Sequence, residues 1–100
     1  MSEKTHLYLL WTNADEMTAE KMVFMYTINS LRNGWWENVT LIVWGATTQL
    51  VAENIKIQSL IKEALDSGVH VSACKACSEQ LEATETLRDM GVDVVYWEIL

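Results

Sequence analysis

The sequence predicts an α/β fold, a three-layer sandwich on a mainly parallel sheet of four or more strands, of the flavodoxin-like or Rossmann-like kind. Short apolar runs without alternation are typical of strands covered on both faces. Segments with apolar residues at helical spacing separate these runs, which favours a parallel sheet with right-handed crossovers. The 100 residues, half of them hydrophobic, suit one domain over 1–100 with a single core.

The predicted elements follow in the order β-α-β-α-β-α-β. The strands are predicted at His6–Trp11, Val39–Trp44, Val69–Ala73 and Val92–Trp97, and the helices at about 14–31, 50–65 and 76–90. Thr12 or Asn13 supplies the N-cap of the first helix. The third predicted helix is the least regular. It is either broken near Glu82-Ala83 or continuous.

The first predicted helix is unusually apolar. Met17, Phe24, Ile28 and Leu31 form its expected inner stripe. Met22–Tyr26 covers every side of the helix, although an amphipathic helix shows one apolar stripe. Either the helix is deeply buried, or its outer face is a subunit interface. In the second case, Val23 and Tyr26, with Trp35 or Trp36 at the end, contact a neighbouring subunit.

Composition excludes several classes of function. A net charge of −7 without a basic run argues against nucleic acid, which requires a cationic footprint. No apolar run is long enough to cross a membrane. The first residues do not resemble a signal peptide, so we expect a cytoplasmic protein. No glycine pattern for phosphate binding follows the first strand, and a zinc site needs more ligands than one cysteine pair. We therefore expect no cofactor and no metal.

A Cys-x-x-Cys motif lies where the third strand meets the third helix. Cys74 and Cys77 are the only cysteines, and Lys75 adds a positive charge between them. Unpaired N–H groups at a helix start stabilise a thiolate and lower its pKa. Cys74 ends the strand, so we expect its sulfur to face the ligand crevice. Cys77 is either a packed core residue or a resolving thiol.

The carboxyl ends of the predicted strands outline a pocket around this motif. Ligands of open parallel sheets bind beyond these ends. The side chains expected there are Trp11, Asn13, Trp44, Thr47, Lys75 and Trp97. The alternative interpretation of the tryptophans is packing at the edge of the core.

These residues resemble the DsrE/DsrF-like family, small α/β proteins of the sulfur-relay class. The resemblance rests on His70–Ser78, on Trp44-Gly45 and on Gly91–Trp97. It implies a flavodoxin-like sheet, a homo-oligomer such as a trimer or hexamer, and persulfide sulfur carried on the cysteine that matches Cys74. Relatives often have glycine where Glu82 stands, and a further helix and strand after the segment matching 96–97.

The cysteine motif and the family resemblance predict three alternative functions. The first is a sulfur carrier or sulfurtransferase that holds sulfane sulfur as a persulfide on Cys74 and exchanges it with donor and acceptor proteins. The second is a thiol-disulfide redox module that uses Cys74 and Cys77. The third is a non-catalytic oligomeric binding module whose cysteines are only packed. Whether the protein is an enzyme stays open at this point.

Overall fold

A parallel four-stranded sheet organises the computed structural model, which describes residues 5–96. The strands are β1 (His6–Trp11), β2 (Asn38–Val43), β3 (His70–Cys74) and β4 (Asp93–Val95), in the spatial order β1-β2-β3-β4. All three pairings are parallel. The α/β class with a parallel sheet of flavodoxin-like type is confirmed.

The helices have different bounds from those predicted. The connection from β1 to β2 holds α1 (Glu16–Thr18), a π-helical segment (Ala19–Phe24) and α2 (Met25–Arg32). The next connection holds α3 (Ala46–Glu53) and α4 (Ile55–Asp66), and the last holds α5 (Lys75–Gln80) and α6 (Thr84–Asp89). No helix among residues 5–96 has the length and apolar content needed to cross a membrane.

The start of the first helix was predicted wrongly. Neither Thr12 nor Asn13 is its N-cap, because Asp15 occupies that position and accepts a 2.9 Å hydrogen bond from the backbone N–H of Thr18. A carboxylate satisfies an unpaired N–H there and interacts favourably with the helix dipole. These contacts lower the pKa of Asp15, first through the hydroxyl of Thr18 and then through its N–H.

The π-helical segment changes which side chains are buried. Ala19 and Phe24 are five residues apart, and both are fully buried. At about 100° per residue an α-helix would place them on different faces, whereas i→i+5 bonding brings them together. Met17 is therefore 71% exposed and not part of the inner stripe. Val23 packs partly buried against the core, so it does not belong to the outer face.

The second and third predicted helices are each divided in two. Asn54 has an extended backbone and accepts a hydrogen bond from the N–H of Ile57 at 3.1 Å, so it ends α3 and caps α4. α5 ends before Glu82, which adopts a positive φ of 54°. The break near Glu82-Ala83 is thus present without a glycine, and the neighbouring Leu81 is exposed.

The core lies on one face of the sheet. Alternate strand residues such as Leu41, Val43 and Val71 form one cluster with Phe24 and Ile61 from the helices. Sequential strand order with right-handed crossovers places successive connections on the same side of a sheet. The described part of the chain therefore supplies the sheet and one helical layer of the predicted sandwich.

The other face of the sheet is not packed against any helix of residues 5–96. By strand alternation and register it carries a set of residues that we call the open sheet face, namely His6, Tyr8, Leu10, Asn38, Thr40, Ile42, His70, Ser72, Asp93 and Val95. Cys74 points the same way at the end of β3.

Candidate functional site: the cysteine pair at the sheet edge

The end of β3 and the start of α5 bring the two thiols together. Cys74 is the last residue of β3 and the N-cap of α5, with extended backbone angles of φ −73° and ψ 120°. Cys77 follows in the first turn of α5, and its thiol hydrogen-bonds to Cys74. The chain thus places both sulfur atoms at the carboxyl edge of the sheet, where parallel α/β proteins bind ligands.

Accessibility of the thiols differs from the expectation. Cys74 is only 4% exposed, whereas Cys77 is half-buried. The sequence indicates the face of a strand residue but not the depth at which its sulfur lies. The burial of Cys74 is the observation that favours the packed-cysteine interpretation.

The surroundings of Cys77 raise the pKa of its thiol. Burial is the largest cause, and the negative charge of Cys74 and a hydrogen bond with Cys74 act in the same direction. The hydrogen bond with Cys74 thus favours the protonated form of the Cys77 thiol. The backbone N–H of Gly45 opposes this shift by donating to the Cys77 sulfur.

Gly45 connects the cysteine pair to the end of β2. It is the N-cap of α3 and has a φ of 66° and a ψ of −133°, a conformation that L side chains rarely adopt. No atom lies within 4 Å of where a Cβ would be, so the backbone angles and not a steric contact select glycine. In this conformation the Gly45 N–H donates to the Cys77 sulfur.

The predicted tryptophan wall is only partly present. Trp11 is 2% exposed and contacts Phe24 edge-to-face, with ring centroids 5.2 Å apart. Its indole N–H donates to the carbonyl oxygen of Asn13 at 2.9 Å. Trp11 is therefore a core residue, as the packing alternative predicted, whereas Trp44 is partly exposed. Trp97 lies outside the described residues.

Thr47 and Asn13 hold the backbone in place. The Thr47 hydroxyl lies 2.8 Å from the carbonyl oxygens of both Trp11 and Trp44 and accepts from the N–H of Trp44 at 3.1 Å. This hydroxyl is fully buried, and its hydrogen bonds join the end of β1 to the end of β2. Asn13 is exposed, and its side-chain oxygen accepts from the N–H of Asp15.

Lys75 carries a compensated charge. Its Nζ lies 3.9 Å from Glu79 Oε1 and 5.2 Å from the centroid of the Tyr96 ring. The Tyr96 hydroxyl donates to the same Glu79 oxygen at 2.8 Å. Lys75 therefore does not act as an isolated positive charge beside the thiols.

A shallow cavity at the same sheet edge was missed in the sequence. It measures about 440 Å³ and is lined by Ala14, Ala46, Gln49, Leu50, Glu53 and Asn54. Its lining contains no thiol. The lining residues come from two segments that are distant in the sequence, the one between β1 and α1 and the one along α3, so the sequence did not indicate the cavity. Within residues 5–96 no group of three or more His, Cys, Asp or Glu side chains could hold a metal ion.

A line of hydrogen bonds between strands was also missed. His6 Nε2 lies 2.7 Å from the Thr40 hydroxyl, which lies 3.3 Å from His70 Nδ1. His70 Nε2 continues the line to Asp93 Oδ2 at 3.2 Å. Residue parity places all four side chains on one face, but only the strand register makes them neighbours.

The fold and the thiol pair define a small parallel α/β protein with a Cys-x-x-Cys at the sheet edge. The solved structure of BT1422 from Bacteroides thetaiotaomicron, described as a conserved protein of unknown function, matches the chain with a TM-score of 0.94 and 36% sequence identity. The match covers 98% of this chain and 84% of that chain. The chain belongs to the same family as BT1422. The comparison with models of known families gave no match, and neither did the comparison with curated proteins.

Proposed function

We propose that the protein is a cysteine-based sulfur carrier, in which Cys74 holds sulfane sulfur as a persulfide and Cys77 assists its release. The observation that carries the proposal is the placement of the two thiols together at the sheet edge, with Cys74 as the last residue of β3 and Cys77 in the first turn of α5. The thiolate is the nucleophilic form of a cysteine. The raised pKa of Cys77 keeps that residue protonated and leaves Cys74 as the attacking group. The resemblance of residues 70–78 to DsrE/DsrF-like proteins supports the same assignment.

The loading step transfers one sulfur atom. The Cys74 thiolate attacks the outer sulfur of a donor persulfide, R–S–SH. A bond forms between Cys74 Sγ and that sulfur, the donor S–S bond breaks, and the donor leaves as a thiolate.

Release follows one of two balanced routes. An acceptor thiolate attacks the outer sulfur, takes it as a new persulfide and leaves Cys74 as a thiolate. Alternatively, Cys77 loses its proton and attacks Cys74 Sγ, which forms the Cys74–Cys77 disulfide and expels HS⁻. The second route requires an external dithiol to reduce the disulfide, so it uses both cysteines at each turnover.

The same contact between the thiols favours a second candidate, a thiol-disulfide redox module. A redox module exchanges its disulfide with a partner dithiol and holds no additional sulfur. In the third candidate, an oligomeric binding module, neither thiol reacts in the native protein. These three functions therefore differ in the mass of the native protein after exposure to a persulfide donor.

The test is the intact mass of the protein after treatment with glutathione persulfide. We expect a gain of one sulfur atom in the wild type and in Cys77→Ser, with a longer-lived adduct in Cys77→Ser because the internal release route is lost. Cys74→Ser should gain none. If Cys77→Ser abolishes loading while Cys74→Ser retains it, the two roles are reversed. If the wild type forms only an internal disulfide and Cys77→Ser gains no sulfur, the redox module replaces the carrier.

We also propose that the protein is a homo-oligomer that assembles through the first helix. The surface that supports this consists of Met22, Met25, Tyr26 and Trp35, which are 47–66% exposed; we call it the first-helix surface. The rings of Tyr26 and Trp35 contact each other with centroids 6.1 Å apart. Methionine and aromatic side chains are enriched at protein interfaces. Trp35 and not the half-buried Trp36 ends this surface.

A further inference from the structure

We propose that the open sheet face is an interface with a second copy of this chain. Parallel sheets are normally covered on both faces. Here Tyr8 is 59% exposed, Leu10 56% and Val95 37%. Between them, Thr40, Ile42 and Ser72 are already buried. The face thus has a buried centre and exposed apolar side chains at both of its edges.

The shape of the face is self-complementary. β1, at one edge, presents the large side chains Tyr8 and Leu10, whereas β4, at the other edge, presents the smaller Asp93 and Val95. A two-fold axis parallel to the strands places β1 of one copy over β4 of the other. Large side chains then face small ones twice, which keeps the spacing of the two sheets uniform near the ~10 Å of packed sheets. A symmetric dimer requires this kind of pattern.

Charge also favours a second copy over a different partner. The chain has a net charge of −7, so two copies repel each other over most of their surfaces. Among the described strand residues on this face, Asp93 is the only acidic one, and it is hydrogen-bonded to His70. The open sheet face is therefore where two acidic copies meet with little repulsion. A basic partner would be attracted to the helices instead, because they carry most of the described acidic residues.

The hydrogen bonds between His6, Thr40, His70 and Asp93 hold side chains of the open sheet face in fixed positions. The rings of His6 and Tyr8 stack with centroids 4.1 Å apart and an interplanar angle of 5°. His6 is held in turn by the buried hydroxyl of Thr40 at 2.7 Å. Side chains that are already ordered lose less conformational entropy when they enter an interface.

The experiment is the mass of the full-length chain by size-exclusion chromatography with light scattering. Leu10→Glu is expected to halve the wild-type mass, and Val95→Glu at the opposite edge should do the same. Ile55→Glu, at a position that is 79% exposed on α4, introduces the same charge away from the sheet and should leave the mass unchanged. Circular dichroism and the melting temperature check that each variant is folded.

Tyr26→Asp separates this interface from the first-helix surface. Halving by Leu10→Glu in a Tyr26→Asp background supports the sheet interface independently. The proposal is overturned if the wild type has the mass of one 11.4 kDa chain at 50 μM. It is equally overturned if folded Leu10→Glu and Val95→Glu both keep the wild-type mass, or if Ile55→Glu lowers the mass as much as they do.

Discussion

At the scale of single residues, the position of a side chain was predicted better than its environment. Cys74 and Cys77 lie at the strand-helix junction where the sequence places them, and strand parity puts Cys74 and His70 on one face. Their depth depends on what packs around them, which the spacing of residues does not specify. For the same reason, Trp11 and Thr47 were predicted to line a pocket, whereas both are buried in the structure.

Thr47→Val is expected to destabilise the protein by about 1–3 kcal/mol. The substitution keeps the shape of the side chain but leaves buried carbonyl oxygens without the hydroxyl that they share, and an unsatisfied buried group costs that much. Thr47→Ser, which retains the hydroxyl, is the matched control. Urea unfolding measures both. If Thr47→Val is as stable as the wild type, the hydroxyl of Thr47 does not stabilise the connection between β1 and β2.

At the scale of secondary structure, alternation of apolar runs and helical segments predicted each element but not the interruptions within helices. The π-helical segment buries Ala19 and Phe24 together, and an i, i+5 pair does not fit the 3.6-residue period on which the inner stripe was based. Asn54 interrupts the second helix because its side chain caps α4. The apolar residues on both sides of Asn54 keep helical spacing, so the periodicity alone predicted one continuous helix.

Glu82→Gly is expected to stabilise the protein by about 0.5–1 kcal/mol. A non-glycine residue at a φ of 54° carries a steric cost that glycine avoids. The greater entropy of glycine in the unfolded chain offsets part of the gain. Glu85→Gly is the control, because it makes the same change within α6 and should destabilise instead. Thermal unfolding distinguishes them, and destabilisation by both substitutions would contradict the argument.

At the scale of the whole molecule, the order of strands in space decides which surfaces are exposed. The β-α-β pattern predicts parallel pairing, but it does not specify whether the sheet grows in one direction or reverses. Sequential order places the described helices over one face and leaves the other without a helix of residues 5–96. The sequence therefore indicated the first-helix surface and gave no sign of the open sheet face.

The first-helix surface is expected to support an assembly larger than one 11.4 kDa chain. Tyr26→Asp should lower the mass measured by light scattering, because a carboxylate in an apolar interface loses its hydration. Ile55→Asp is the control, since that side chain is even more exposed but lies on α4. An unchanged mass for folded Tyr26→Asp would exclude this surface from the assembly.

The reactivity of the two thiols in the native protein distinguishes a reactive cysteine pair from a packed one. The protein is treated with iodoacetamide at a series of pH values, quenched, and the alkylated peptides are quantified by mass spectrometry. We expect Cys74 to react without unfolding and at lower pH than Cys77. Burial raises the pKa of Cys77, so its alkylation should increase only above the ordinary thiol value of about 8.5. If both thiols react only after denaturation, the sulfur carrier and the redox module are both contradicted, and the cysteines are packed structural residues.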